Sequence, residues 1–150
     1  MRVLLQRVSM ASVNIGGEKI SEIGSGLMIL LGIATGDDQT DVEWLCGKIA
    51  RMRVFPDEDG KMNRSILDTG GAVLVVSQFT LHASTKKGNR PSFLAAATPD
   101  HSEPLYEKFC EALSAEMGKP IARGIFGADM QVSITNCGPV TLWLDSRAKE

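Results

Sequence analysis

Arg2-Val3-Leu4-Leu5-Gln6-Arg7-Val8-Ser9-Met10-Ala11-Ser12-Val13-Asn14-Ile15 opens the chain with an imperfect alternation. Leu4, Gln6, Val8 and Met10 share one phase against Leu5, Arg7 and Ser9, and Val13 and Ile15 continue on the odd phase. Strand side chains point alternately to two faces, so a slip of one residue moves every later side chain across the sheet. The pattern predicts a long strand with a register break, such as a bulge. Gly16-Gly17 then reads as a two-residue hairpin signal and Glu18–Ile23 as the return strand. Gly24-Ser25-Gly26 is a turn. The unbroken apolar run Leu27–Ile33 predicts a strand buried on both faces.

Over residues 38–53 the period changes. Val42, Leu45, Cys46 and Ile49 fall at helical spacing, with Asp37 and Asp38 near the start, where the helix dipole favours acids. Asp57-Glu58-Asp59-Gly60 lacks the alternating ligands and distal Glu of a calcium loop and reads as a turn. Gly70-Gly71 precedes a strand at Ala72–Val76, and residues 82–98 read as a long loop of the kind often used for function. A second helix is expected over 102–117. Leu105, Phe109, Ala112, Leu113 and Met117 lie on one face, Pro104 near the start and Gly118 just past the end. Ile121–Phe126, Met130–Thr135 and Val140–Leu144 complete the strands. Two long helices among six or seven strands predict an α+β domain spanning 1–150. Its sheet is expected to be mainly antiparallel, and strongly curved or closed into a barrel.

Bulk properties narrow the function classes. At 150 residues the chain can bury a real core. Its longest apolar stretch, Leu27–Ala34, is too short to span a bilayer as a helix, and no secretory signal pattern opens it. Cys46, Cys110 and Cys137 are widely spaced and odd in number, which argues against a disulfide framework and fits reduced thiols in cytosol. No ligand spacing for zinc and no phosphate-binding glycine loop is present, so no metal and no cofactor is expected. With a net charge of −2, any nucleic-acid contact must be local. Lys86-Lys87-Gly88-Asn89-Arg90 is the local candidate; a solvated loop is the plainer reading of the same residues.

Two runs carry the possible chemistry. Ser77-Gln78-Phe79-Thr80-Leu81 ends a buried strand in polar groups. These either cap the next turn with Phe79 in the core, or put donors and a stacking ring at the sheet rim. His82, two residues after Thr80, would share its face if the strand continued, so a hydroxyl–histidine hydrolase is conceivable. Asn136-Cys137-Gly138-Pro139-Val140-Thr141 sets Gly-Pro beside a strand. Proline cannot donate to a ladder and is confined to edges, strand starts and bulges. Such a segment can present carbonyl oxygens to a small ligand.

With these two runs in this order and spacing, the chain resembles the D-aminoacyl-tRNA deacylases over nearly its whole length. Met1-Arg2-Val3 with Gln6-Arg7-Val8, Gly88-Asn89-Arg90-Pro91-Ser92-Phe93 and Leu105-Tyr106-Glu107-Lys108-Phe109 add to the match. Cys137 falls at a position that the family leaves variable. The resemblance implies a compact, barrel-like homodimer with active sites at the subunit interface, a cis Gly138-Pro139 bond entering the partner's site, and Arg7 holding that motif; with the reduced cysteines, a cytoplasmic location is expected. It implies that Ser77, Gln78 and Thr80 serve catalysis and that Phe79 lies beside the terminal adenine of the aminoacyl-tRNA 3′ end. It also implies that L-amino acids are excluded, and that glycyl-tRNA, lacking the excluded group, is a substrate. A non-catalytic nucleic-acid-binding barrel is the competing class.

Overall fold

The computed structural model describes residues 1–149. Strand β1 (Arg2–Ile15) turns at Gly16-Gly17, both at positive φ, into β2 (Glu18–Ile23), and β3 (Gly26–Gly32) follows. Helix α1 (Gln39–Arg51) leads to a small hairpin of β4 (Phe55–Pro56) and β5 (Met62–Arg64), then to the one-turn α2 (Ile66–Thr69). Next come β6 (Ala72–Ser77), a 3-10 turn at Phe79–His82, α3 (Pro99–Met117), β7 (Ala122–Arg123) and β8 (Gln131–Asp145). The main sheet runs β2-β1-β3-β6-β7, with β8 on β1 as well, and curls into a nearly closed barrel.

β1 pairs antiparallel with β2, β3 and β8, whereas β3–β6 and β6–β7 are parallel. The parallel pairs follow from the connections. Parallel neighbours need a long crossover, and α1 through α2 supply one between β3 and β6, α3 another between β6 and β7. Both long helices therefore cover one sheet face. Leu27, Ile29 and Leu31 of β3 and Val73 and Val75 of β6 pack there with Leu45, Ile49, Phe109 and Leu113. Met28, Leu74 and Val76 point the other way, into a second cluster inside the barrel with Val8, Ala11 and Val13. Each of these side chains larger than alanine contributes about 1.5–3 kcal/mol by leaving water.

The expected register break in β1 is present. Val3 and Leu5 face the helices, Val8 faces the barrel interior, and Ala11 and Val13 return to the interior on the opposite phase. The ladder to β8 shifts on both sides of Val8, so the sheet bends there.

Several boundaries differ from expectation. The two strands expected at 130–135 and 140–144 are one element, β8. The strand expected at 121–126 shrinks to two residues. α3 begins at Pro99, which takes the first-turn position where proline is favoured, so Pro104 lies inside the helix. Asp38 caps α1 in a capping box with Asp41, while Asp37 is buried in an ion pair with the Met1 ammonium at 2.7 Å. Asp57 accepts from the N–H groups of Asp59 and Lys61 and from the Asn63 amide, which makes it a turn organiser.

The β3–β6 pair needs glycine at its start. A Cβ on Gly26 would lie 1.8 Å from the Ala72 carbonyl oxygen. Gly26→Ala is expected to lower stability by about 3 kcal/mol, because backbone must move. Gly24→Ala, where an added Cβ meets nothing within 4 Å, is expected to stay within about 0.5 kcal/mol of the parent in urea unfolding.

Candidate active site

β6 delivers the chain to the barrel rim at Ser77, and Gln78 N–H still donates to the Leu31 carbonyl at 2.7 Å. The strand then stops. The 3-10 turn rotates the next side chains out of strand alternation, leaving Phe79 and Thr80 exposed and His82 buried. Phe79 is 57% exposed, which rules out a core role. Its ring meets that of Phe93 edge-on at 5.0 Å between centroids. The Gln78 amide donates to the Thr80 hydroxyl at 2.5 Å. Phe79 and Thr80 open the turn, where no carbonyl of the turn can accept their N–H groups. Neither finds another acceptor among the described residues.

A cavity of about 600 Å³ lies against this rim, a size suited to a small organic ligand. Ser77, Gln78 and Phe79 line it together with Phe93, Phe126 and Met130. Thr80, Arg7, Gly138 and Pro139 do not line it. One chain therefore brings Ser77, Gln78 and Phe79 to a pocket and holds Thr80 and the Gly-Pro run outside its lining.

The Gly-Pro run is looped out of β8. Gln6 pairs with Thr141 and Val8 with Asn136, so residues 137–140 stand opposite Arg7 alone. The Gly138-Pro139 bond is cis, and both residues are exposed. Arg7 spans the base of the loop: its Nε donates to the Cys137 carbonyl at 3.0 Å and its Nη1 to the Val54 carbonyl at 2.6 Å. Asn136 replaces the missing ladder bonds. Its Oδ1 accepts from Val140 N–H at 2.9 Å, and its amide donates to the Thr141 hydroxyl at 3.0 Å. Gly138 has φ +129, and a Cβ there would lie 2.8 Å from Arg7 Nη2, so no other residue fits.

His82 and Thr80 do not form a pair. The imidazole is 5% exposed beneath the turn, and its Nε2 has no partner. Burial disfavours its charged form, the Gly32 carbonyl opposes that, and Arg2 and the Met1 ammonium add to it; the pKa is held below the ordinary histidine value. Two anchors of the turn were not anticipated from sequence. Arg2 Nη1 donates to the Leu81 carbonyl at 2.9 Å while its Nε pairs with Asp145. Gly32 admits the turn closely, since a Cβ there would lie 2.9 Å from the Gln78 carbonyl oxygen. An arginine at a strand start carries no sequence signal of such a role, because its partner lies 79 residues away.

These features define an α+β barrel with an open rim pocket and a separate, rigidly held Gly-Pro projection. The D-Tyr-tRNA(Tyr) deacylase family model matches residues 4–145, and the chain belongs to that family. A D-aminoacyl-tRNA deacylase of Bacteroides thetaiotaomicron is 58% identical over 150 residues, covering all of both chains. One of Thermomicrobium roseum is 56% identical over 146 residues, 97% of this chain and 94% of the relative. A solved structure named c-Myc DNA Unwinding Element Binding Protein superposes with a TM-score of 0.91 at 45% identity, over 99% of this chain and all of that one. A probable eukaryotic D-amino acid tRNA deacylase shares the fold, with a TM-score of 0.80 at 18% identity over 95% of this chain and 97% of that one. No helix among the described residues is long and apolar enough to cross a membrane.

The buried, neutral His82 links folding to pH. Below the ordinary histidine value the unfolded chain takes up a proton that the folded chain refuses, so stability is lost as pH falls through that value. Between about pH 7.5 and 5.5, the urea midpoint of the parent is expected to fall further than that of His82→Gln. Equal falls would assign the pH dependence to other groups.

Proposed function

We propose that this chain hydrolyses the ester joining a D-amino acid to the terminal ribose of tRNA, releasing free tRNA and the amino acid. It acts as a cytoplasmic homodimer in translation quality control. The observation that carries this reading is the looped-out Gly138-Pro139, which is held by Arg7 and Asn136 yet stands apart from its own chain's pocket. A second protomer supplies the missing neighbour. β8 is a long edge strand whose only partner among the described residues is β1, and exposed Ile134 and Trp143 on β8 and Met10 on β1 accompany it. In the dimer the Gly-Pro projection of one subunit enters the Ser77–Thr80 pocket of the other.

The reaction needs a placed water, donors for the developing oxyanion and a proton route. Phe79 packs beside the terminal adenine. Main-chain N–H groups around Thr80 hold the oxyanion, a contribution of about 3 kcal/mol per donor. Gln78 and Ser77 order the rim around the ester. The vicinal 2′-hydroxyl of the substrate takes the place of a protein base in activating water, which accords with the burial of His82. Water adds to the ester carbonyl, the 3′-oxygen leaves with a proton, and the carboxylate departs. Carbonyl oxygens of the Gly-Pro projection accept from the α-ammonium, and its bulk fills the space of an L side chain. Handedness is then read by a clash, and side-chain identity is ignored.

Two assays test this. The protein is expected to release D-tyrosine and glycine from their tRNAs and to spare L-tyrosyl-tRNA; glycine passes because it lacks the clashing group. Release of neither tyrosine enantiomer would leave the nucleic-acid-binding reading, which the name of the 45%-identical structure favours. Thr80→Ala is expected to keep turnover within a few-fold of the parent. Complete loss with intact folding would instead make the Thr80 hydroxyl the nucleophile.

A further inference from the structure

The charge of this chain is distributed unevenly around the pocket. From Thr69 to Pro99 there is no Asp or Glu, and the only charged residues are Lys86, Lys87 and Arg90. That stretch contributes +3 to a chain of net charge −2, which leaves −5 on the rest. The same stretch holds Ser77, Gln78, Phe79 and Thr80. Asp68 and Asp100 flank the stretch in sequence, and Asp129 stands on the pocket wall.

The loop is also mounted on the site. Ser84 and Ser92 exchange backbone hydrogen bonds at 2.8 and 2.9 Å, which closes residues 85–91 into a projecting loop that turns at Gly88, φ +75. Ser92 leads directly into Phe93, the ring set edge-on against Phe79. All three cations are exposed, and none pairs with a carboxylate among the described residues, whose ion pairs lie elsewhere. A mixed-sign solvated surface would intersperse acids to keep the field small. Here one sign is isolated on a loop that leads through Ser92 into the pocket wall at Phe93, in a chain that is otherwise net acidic.

We propose that residues 85–91 form a phosphate clamp for the acceptor arm of the RNA whose aminoacyl end enters the pocket. This inference rests on the deacylase reading above and adds how the polymer part of the substrate is held. Unpaired Lys and Arg gain by displacing counterions from consecutive phosphates, a contact that carries no sequence information. The clamp therefore supplies affinity and orientation without selecting among tRNAs. Phe79 and Phe93 lie at its base, where the unpaired terminal base would arrive. The net negative remainder of the chain repels RNA and confines docking to this side.

The test compares the parent with K86S/K87S/R90S on two substrates, full-length D-tyrosyl-tRNA and the 3′-(D-tyrosyl) ester of adenosine, which has no phosphate. On tRNA, the kcat/KM of the parent is expected to fall roughly twenty- to forty-fold more than that of the variant between 50 and 200 mM salt, for three lost phosphate contacts. The change is expected in KM, with kcat retained. On the adenosine ester the two proteins are expected to match. K86R/K87R/R90K, which keeps all three charges, is expected to restore the salt dependence of the parent. A parent and triple-serine variant with equal KM and equal salt slope on tRNA would overturn the clamp and leave a solvated loop. Equal losses on both substrates would overturn it too, as damage to the pocket. A parent that releases no D-tyrosine from tRNA would take down the deacylase reading and the clamp with it.

Discussion

Everything in this fold depends on β1 holding partners along both edges for nearly all of its fourteen residues. On one edge it pairs with β8 from Arg2 to Asn14. On the other it pairs first with β3, up to Val8, and then with β2, from Ala11. The change of partner and the change of phase fall at the same place, between Val8 and Ala11. A flat strand could not serve both β3 and β2 on one edge while keeping apolar residues buried at each end. The break lets Val3 and Leu5 meet the helices and Ala11 and Val13 meet the barrel interior. The curvature that closes the barrel is thus the consequence of one strand serving two cores.

That strand also places both halves of the candidate site. Its register with β3, and of β3 with β6, sets where Ser77 reaches the rim. Its register with β8 leaves residues 137–140 unmatched opposite Arg7. Arg2, at its start, ties the 3-10 turn to Asp145 at the end of β8. Four positions in β1 and β8, namely Arg2, Arg7, Asn136 and Asp145, therefore fix the two projecting elements against one ladder. This explains how groups far apart in sequence can be positioned without a shared loop.

What was legible in the sequence was local. The phase change in β1, the Gly16-Gly17 turn, the doubly buried β3 and the α1 periodicity each write themselves into a dozen neighbouring residues. The parallel pairing of β6 was not legible, because β-branched runs carry no mark of direction; the lengths of the intervening crossovers decide it. β8 looked like two strands because Pro139 has no N–H to pair. The structure keeps it one by letting the Asn136 side chain stand in for backbone. The start of α3 was misplaced because two prolines, Pro99 and Pro104, both suit a first turn, and only Pro99 occupies it. The conceivable pairing of His82 with Thr80 required β6 to continue. The 3-10 turn removes the alternation that would have set it beside Thr80.

The need for glycine at 138 shows how such a site resists reading from residue types alone. Glycine beside proline suggests a permissive turn, and the constraint here is the backbone itself: φ is +129, which L side chains rarely adopt, and a Cβ would also crowd Val140 at 2.9 Å and Arg7, 131 residues earlier in the chain, at 2.8 Å. The guanidinium that fastens the loop through Cys137 stands beside Gly138, whose φ of +129 favours glycine. A loop anchored through its own side chains would bury those groups or point them at the ligand, and would then discriminate among ligands by their chemistry. Anchoring by a distant arginine and a neighbouring asparagine leaves the Gly138 backbone and the Pro139 ring exposed at the tip, with Cys137 exposed beside them. Such a tip presents mainly shape and carbonyl oxygens, the two features on which the proposed reading of handedness depends.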